Sequence, residues 1–322
     1  MQFDRTQIVI RERTLSELLD LALVVCRHRP GALLRSAAWG IVPFALCNAI
    51  MFSTLLVHYY LNNDFGVFSN GLYPYYATSL GYDNDFSTIW FFYIFSMGTL
   101  VYLEAPLALA FTTHYLGKFV FEESPDMVQV RREVWNAWKP LAYYIGFVRL
   151  ALLAPAIGLL LWIFQIPIDQ LLAGPTWLAI LAWLIVAPQR ALRPYVIEMI
   201  LLERTPFRAT DKTTITFAKR SAALHGSDPG IVGTWFNMHI VGALLILILS
   251  GTLVCAYQVV IGQKAWYAWT LLIFGYPLVL WLVALFMTVV RFLKYLDVRI
   301  RSEGWEVDLL LRAEAARWEN VT

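Results

Sequence analysis

Six stretches of this 322-residue chain, near 34–58, 88–112, 141–165, 176–198, 234–260 and 266–291, are almost wholly apolar. No other feature narrows the fold as far. A hydrocarbon layer ~30 Å thick is crossed by about 20 residues of helix. Inside it every backbone N–H and C=O must be paired within the protein, which selects helices. Composition agrees: 59% of residues are hydrophobic, only 15% are charged, and the mean hydropathy is +0.59, far from the soluble norm. The start, "MQFDRTQIVIRERT", mixes acids and bases where a cleavable signal would need an apolar run, so the first span is expected to stay in the mature protein.

The bases orient the spans. All but two of the 25 Lys and Arg residues lie up to Arg35, between spans 2 and 3, from Arg190 to Arg220, or from Arg291 onward. The exceptions are Arg149, inside span 3, and Lys264, in the turn between spans 5 and 6. The long loop "LNNDFGVFSNGLYPYYATSLGYDNDF" carries no base. Bases gather on the cytoplasmic side of a membrane, so both termini are expected there, in a bacterial inner membrane, with the aromatic loop outside.

Each odd-numbered span follows a short segment of helical periodicity. Thr14 and Glu17 form a capping box, with Leu15, Leu18, Leu19 and Ala22 on one face and Arg29-Pro30-Gly31 as the stop. In the second segment Ser124 is the expected N-cap with Pro125 at the first helical position, ahead of Met127, Val130, Val134 and Trp138. In the third, Ile215, Ala218 and Ala222 share a face and Gly226 to Gly230 form the stop. The expected fold is therefore an all-α integral membrane protein. Its six transmembrane helices form three parallel hairpins, each preceded by a cytoplasmic interfacial helix, with repeat-like units at 1–122, 123–208 and 209–294.

A cytoplasmic amphipathic helix follows at 295–322. In it opposite charges stand four apart, Asp297 with Arg301 and Arg299 with Glu303, Gly304 offers a bend, and Trp305, Leu309 and Trp318 supply apolar contacts. That pattern reads as a docking helix, a solvated tail being the alternative.

"RTLSELLDLALVVCRHRPGALL", "RPYVIEMILLE", "AKRSAALHG" and "YLDVRIRSEGWEVDLLLRAEAARW" together resemble bacterial membrane proteins like the membrane domain of glycerophosphoryl diester phosphodiesterases. The resemblance spans nearly the whole chain and implies a multi-span helical domain. The phosphodiesterase activity of that group belongs to a separate soluble barrel with no counterpart here, so no activity carries over.

A mid-membrane charge costs about 2.5–3.5 kcal/mol on insertion scales and is usually functional. Glu104 in span 2 and Arg149 in span 3 fall at similar depth, with Arg190, Arg193 and Glu198 at the inner half of span 4. Two readings stay open: a buried ion pair, Glu104 with Arg149, that fixes packing, or a cavity open to the inner leaflet that holds an anionic headgroup, since arginine matches phosphate bidentately. The three cysteines and five histidines show no metal-ligand spacing, and no nucleophile, phosphate-loop or cofactor motif is present. Neither an enzyme, a cofactor nor a nucleic-acid partner is expected. The leading expectation is a membrane scaffold or accessory subunit that docks another protein through its cytoplasmic helices or its outer loop, with homo-oligomerisation open. The alternative is a transporter or lipid-handling protein whose partners are membrane lipids, anionic ones included.

Overall fold

The computed structural model describes residues 13–62, 85–120, 122, 124–148, 185–207, 215–226, 230–261 and 274–303. Every regular element among them is helical. Most of span 3 and the first part of span 4, residues 149–184, lie outside the described residues, as do the long outer loop and the segment from Gly304 through Trp318.

The chain enters α1 (Leu15–His28) through the expected capping box: Glu17 N–H donates to the Thr14 hydroxyl, and the Glu17 carboxylate accepts from Thr14 N at 2.8 Å. Leu18 and Ala22 are its buried face. Pro30, which lacks an N–H and carries a helical φ, opens α2 (Pro30–Asn62). α3 (Asp85–Ala108) and α4 (Ala110–Phe119) meet at Leu109, where the chain bends by 43°. α5 (Met127–Asn136) corrects one expectation. Its N-cap is Asp126, not Ser124, because the Asp126 carboxylate reaches the Val128 N–H at 3.0 Å and leaves Ser124 and Pro125 outside the helix.

α6 (Trp138–Leu141) runs into a π-helical turn, Ala142–Val148. Helical residues 185–192 (α7) stop at a turn over 193–195 around Pro194, and α8 (Val196–Leu201) follows, so the stretch taken as the inner end of span 4 is broken. α9 (Phe217–Gly226) buries Phe217 and Leu224, while Ile215 is 59% exposed and Ala218 and Ala222 face out. The expected face was wrong because the two larger side chains bury more apolar surface. α10 (Ile231–Ile261) and α11 (Tyr276–Glu303) complete the described chain.

Among the described residues three helices are long and apolar enough to cross a membrane, Pro30–Phe52, Val232–Tyr257 and Tyr276–Ser302, and the bent pair Tyr93–Ala108 with Ala110–Phe119 passes the same test when taken as one span. The main core lies at their basic end. There the last four turns of α11, with Val289, Val290, Tyr295 and Val298 fully buried, are surrounded by α1, α4, α8 and α9.

Candidate functional site: a cavity between α3, α7, α10 and α11

Proline in a span both bends it and frees a carbonyl. Pro106 offers no N–H to the carbonyl of Tyr102, four residues earlier, and an unpaired carbonyl is costly away from water. Arg190 of α7 fills the gap: its Nη2 donates to the Tyr102 carbonyl and, at 3.4 Å, to that of Leu103. The guanidinium carbon sits 3.8 Å from the centre of the Tyr102 ring, a cation–π contact. These contacts satisfy donors without cancelling charge. No carboxylate partners Arg190 among the described residues, and its Nε has no hydrogen-bond partner.

Arg190 lines a cavity of about 230 Å³. Its basic end carries Arg190, Arg291, Tyr102, His239, Trp235 and Thr288, and its other end is built from Gly98, Val101, Ile246, Leu280 and Val283. From Arg291 to Leu280 along α11 is about 16 Å of helix, so the cavity runs from a charged end to an apolar one. Gly98 and Gly242 lie on its wall, where a side chain would take up space.

His239 has a definable tautomer. Its Nδ1 lies 2.7 Å from the Trp235 carbonyl, which only accepts, so Nδ1 carries the proton. Nε2 lies 2.9 Å from the Tyr102 hydroxyl, which donates to it when the ring is neutral. Arg291 is neutralised by Glu198: Nε donates to Oε1 at 2.9 Å, and Nη2 donates to the Thr113 hydroxyl at 3.3 Å. Glu198 is fully buried. Among the described residues, Arg190 is thus the guanidinium of this cavity with no carboxylate beside it. Trp235, 7% exposed, also lines the cavity, and its indole N–H is buried without a hydrogen-bond partner.

Of the residues singled out from sequence, Arg190 belongs to this site and Glu198 supports it through Arg291. Arg193 points elsewhere and donates to the Tyr144 hydroxyl on the π-helical turn. Glu104 faces α2, where its carboxylate accepts from Asn48 Nδ2 at 2.8 Å. Arg149, its expected partner, lies outside the described residues. Asp297 is 2% exposed and binds Arg301 at 2.8 Å and Lys294 at 3.6 Å, so this part of the expected docking helix is spent on internal contacts. Arg299 approaches Glu203 at 3.9 Å. The Glu303 side chain, Gly304, Trp305, Leu309 and Trp318 lie outside the description.

Sequence reasoning missed Tyr102, His239, Trp235 and Arg291. One signal was present: a proline four residues after Tyr102 announces a freed carbonyl that some donor must meet. Among the described residues no three His, Cys, Asp or Glu side chains come together as a metal site. No family model matches the chain, and neither a curated protein nor a solved structure matches it.

Proposed function

We propose that this chain is a lipid-handling protein of a bacterial inner membrane that holds the anionic headgroup of an inner-leaflet amphiphile in the Arg190 cavity. The carrying observation is a guanidinium with no carboxylate beside it, among the described residues, at one end of a hollow whose other end is apolar. A buried cation without a carboxylate is costly in a span. A phosphate or carboxylate from outside would relieve it by pairing with the Arg190 guanidinium, while an acyl chain follows the Val101–Leu280 side. In this reading the spans number six, both termini are cytoplasmic by the distribution of Lys and Arg, and the basic end of the cavity meets the cytoplasmic leaflet. The resemblance to the phosphodiesterase membrane domain is compatible with this and lends no chemistry.

Native mass spectrometry of the full chain in a mild neutral detergent tests it. The wild type is expected to retain about one anionic amphiphile, and Arg190→Gln, which keeps an amide donor for the Tyr102 carbonyl, to lose it while remaining folded. Bare wild-type protein, or an adduct that persists in a folded Arg190→Gln protein, would overturn the reading.

A second reading, a membrane scaffold or accessory subunit, is favoured by α10. None of its most apolar window is buried within the chain, and Phe236, Leu244, Leu247 and Ile248 project outward. A polypeptide travelling with the protein in the same spectra would support it, whether a second copy or another chain.

A further inference from the structure

α5 has two working faces. Val130 and Val134 are buried against the core, while Val128, Arg131 and Trp135, spaced three and four apart, form an outer stripe. Trp135 is 67% exposed, far more than a ring of that size needs if water is its only neighbour. It stacks on Trp138 with ring centres 6.0 Å apart. Arg132 and Lys139 are exposed beside the stripe. The only acid in residues 127–141 is Glu133, and it turns inward to His114 and Lys118.

The level of this stripe is fixed by α2. Arg131 places its guanidinium 4.8 Å from the centre of the Trp39 ring. Arg35, one turn before Trp39, is the last charged residue of α2. Beyond Trp39 the same outward face continues with Val42, Leu46 and Ile50, all exposed and apolar. Trp39 thus marks where the apolar surface begins, the depth at which tryptophan rings sit in bilayers.

We infer that the outer face of α5, together with Arg35 and Trp39, is a binding surface for anionic phospholipid headgroups. The tryptophans enter the headgroup layer, and Arg35, Arg131, Arg132 and Lys139 pair with the phosphates. The charge is unmixed on this face, and the surface is continuous with the lipid-facing side of a span; both favour a bilayer over a protein as its occupant. This rests on α2 crossing the membrane and is independent of the Arg190 cavity.

The test uses the full chain reconstituted in bilayers of equal phosphatidylglycerol and phosphatidylethanolamine, excised with an amphipathic polymer, and the lipid counted by mass spectrometry. The wild type is expected to be enriched in phosphatidylglycerol at low salt. Arg131→Gln/Arg132→Gln/Lys139→Gln should fall to the bulk ratio, and Arg132→Gln/Lys139→Gln should lose about half the excess. The double variant keeps the Trp39 contact and decides the matter should the triple variant fail to fold. Unchanged enrichment in a folded triple or double variant overturns the inference, and loss of a co-purifying polypeptide instead would assign the surface to a protein.

Discussion

At the scale of single residues, two positions on the α3 bend carry more than their size suggests. Pro106 creates an unmet carbonyl, and Arg190 meets it from another helix, so a break that would cost about 3 kcal/mol in isolation becomes an anchoring point for α7. Gly40 permits the neighbouring contact. A Cβ placed there would lie 1.7 Å from the Ala108 carbonyl oxygen and 2.6 Å from its carbon, and both are backbone atoms that cannot rotate away. Gly40→Ala is therefore expected to separate α2 from the bend and to cost at least the 1–3 kcal/mol, roughly, of an overpacked core. Gly31→Ala is the matched control, since nothing lies within 4 Å of its added Cβ; there the better helix former should be neutral or stabilising by up to about 1 kcal/mol. Thermal unfolding of both variants in detergent checks the contrast, and equal melting temperatures would refute the tight crossing.

At the scale of elements, α5 is held by one carboxylate. Glu133 accepts from Lys118 at 2.7 Å, from His114 Nε2 at 2.9 Å and from Arg204 at 3.1 Å, tying α5 to α4 and to the turn after α8. Burial alone would raise its pKa; the hydrogen bonds from Lys118 and His114 and the charges behind them outweigh that and hold it at about 2. A depressed carboxylate contributes stability above its ordinary value of 4.5, and that contribution disappears as pH falls toward 2. The gap in melting temperature between wild type and Glu133→Gln should accordingly be widest above pH 4.5 and close as pH approaches 2. A gap independent of pH would mean the glutamate acts by packing. Much at this scale was readable beforehand, because helix starts are local chemistry: the Thr14–Glu17 box and Pro30 needed no distant partner. The i, i+4 pair of Asp297 and Arg301 was legible for the same reason. The exposed face of α9 and the break at Pro194 were not, since each depends on what packs against it. The cavity was least legible. Tyr102, Arg190, His239 and Arg291 come from four helices separated by up to 189 positions, and Glu104 found a neutral amide, Asn48, that no charge pattern would flag.

At the scale of the whole molecule, order is distributed unevenly along the helix axes. The spans contribute small clusters, such as Phe52, Tyr93 and Trp281, whereas the large core gathers around the basic end of α11. This follows from the solvent each layer meets. Where helices cross a bilayer, lipid tails are as apolar as the side chains between them, so burial gains little and packing shape must hold them; where an end meets water, burial of apolar surface stabilises strongly. Tyr295 stands at the centre of that end. It is fully buried, packs against Tyr195 at 5.7 Å between ring centres, and donates its hydroxyl to Glu203 at 2.6 Å. Glu203 also takes two hydrogen bonds from Arg220 of α9, at 2.6 and 2.8 Å. Burial tends to raise the Glu203 carboxyl, but these donors prevail and keep its pKa below the ordinary range. Tyr295→Ala should then leave a cavity and an under-satisfied carboxylate together, costing about 3–5 kcal/mol, and it should release α9 and α1 from α11 along with it. Tyr295→Phe keeps the ring and removes one donor, for about 1–3 kcal/mol. Leu247→Ala deletes a side chain of similar apolar character from α10, but that leucine is 70% exposed to the surroundings of the bundle, so its loss should stay within about 0.5 kcal/mol. Thermal unfolding ranks the three, and hydrogen exchange along α1 and α9 reports whether the basic end opens as one unit. If Leu247→Ala proved as damaging as Tyr295→Ala, the stability of this protein would reside in its spans, and the division between a packed end and a lipid-facing bundle would be wrong.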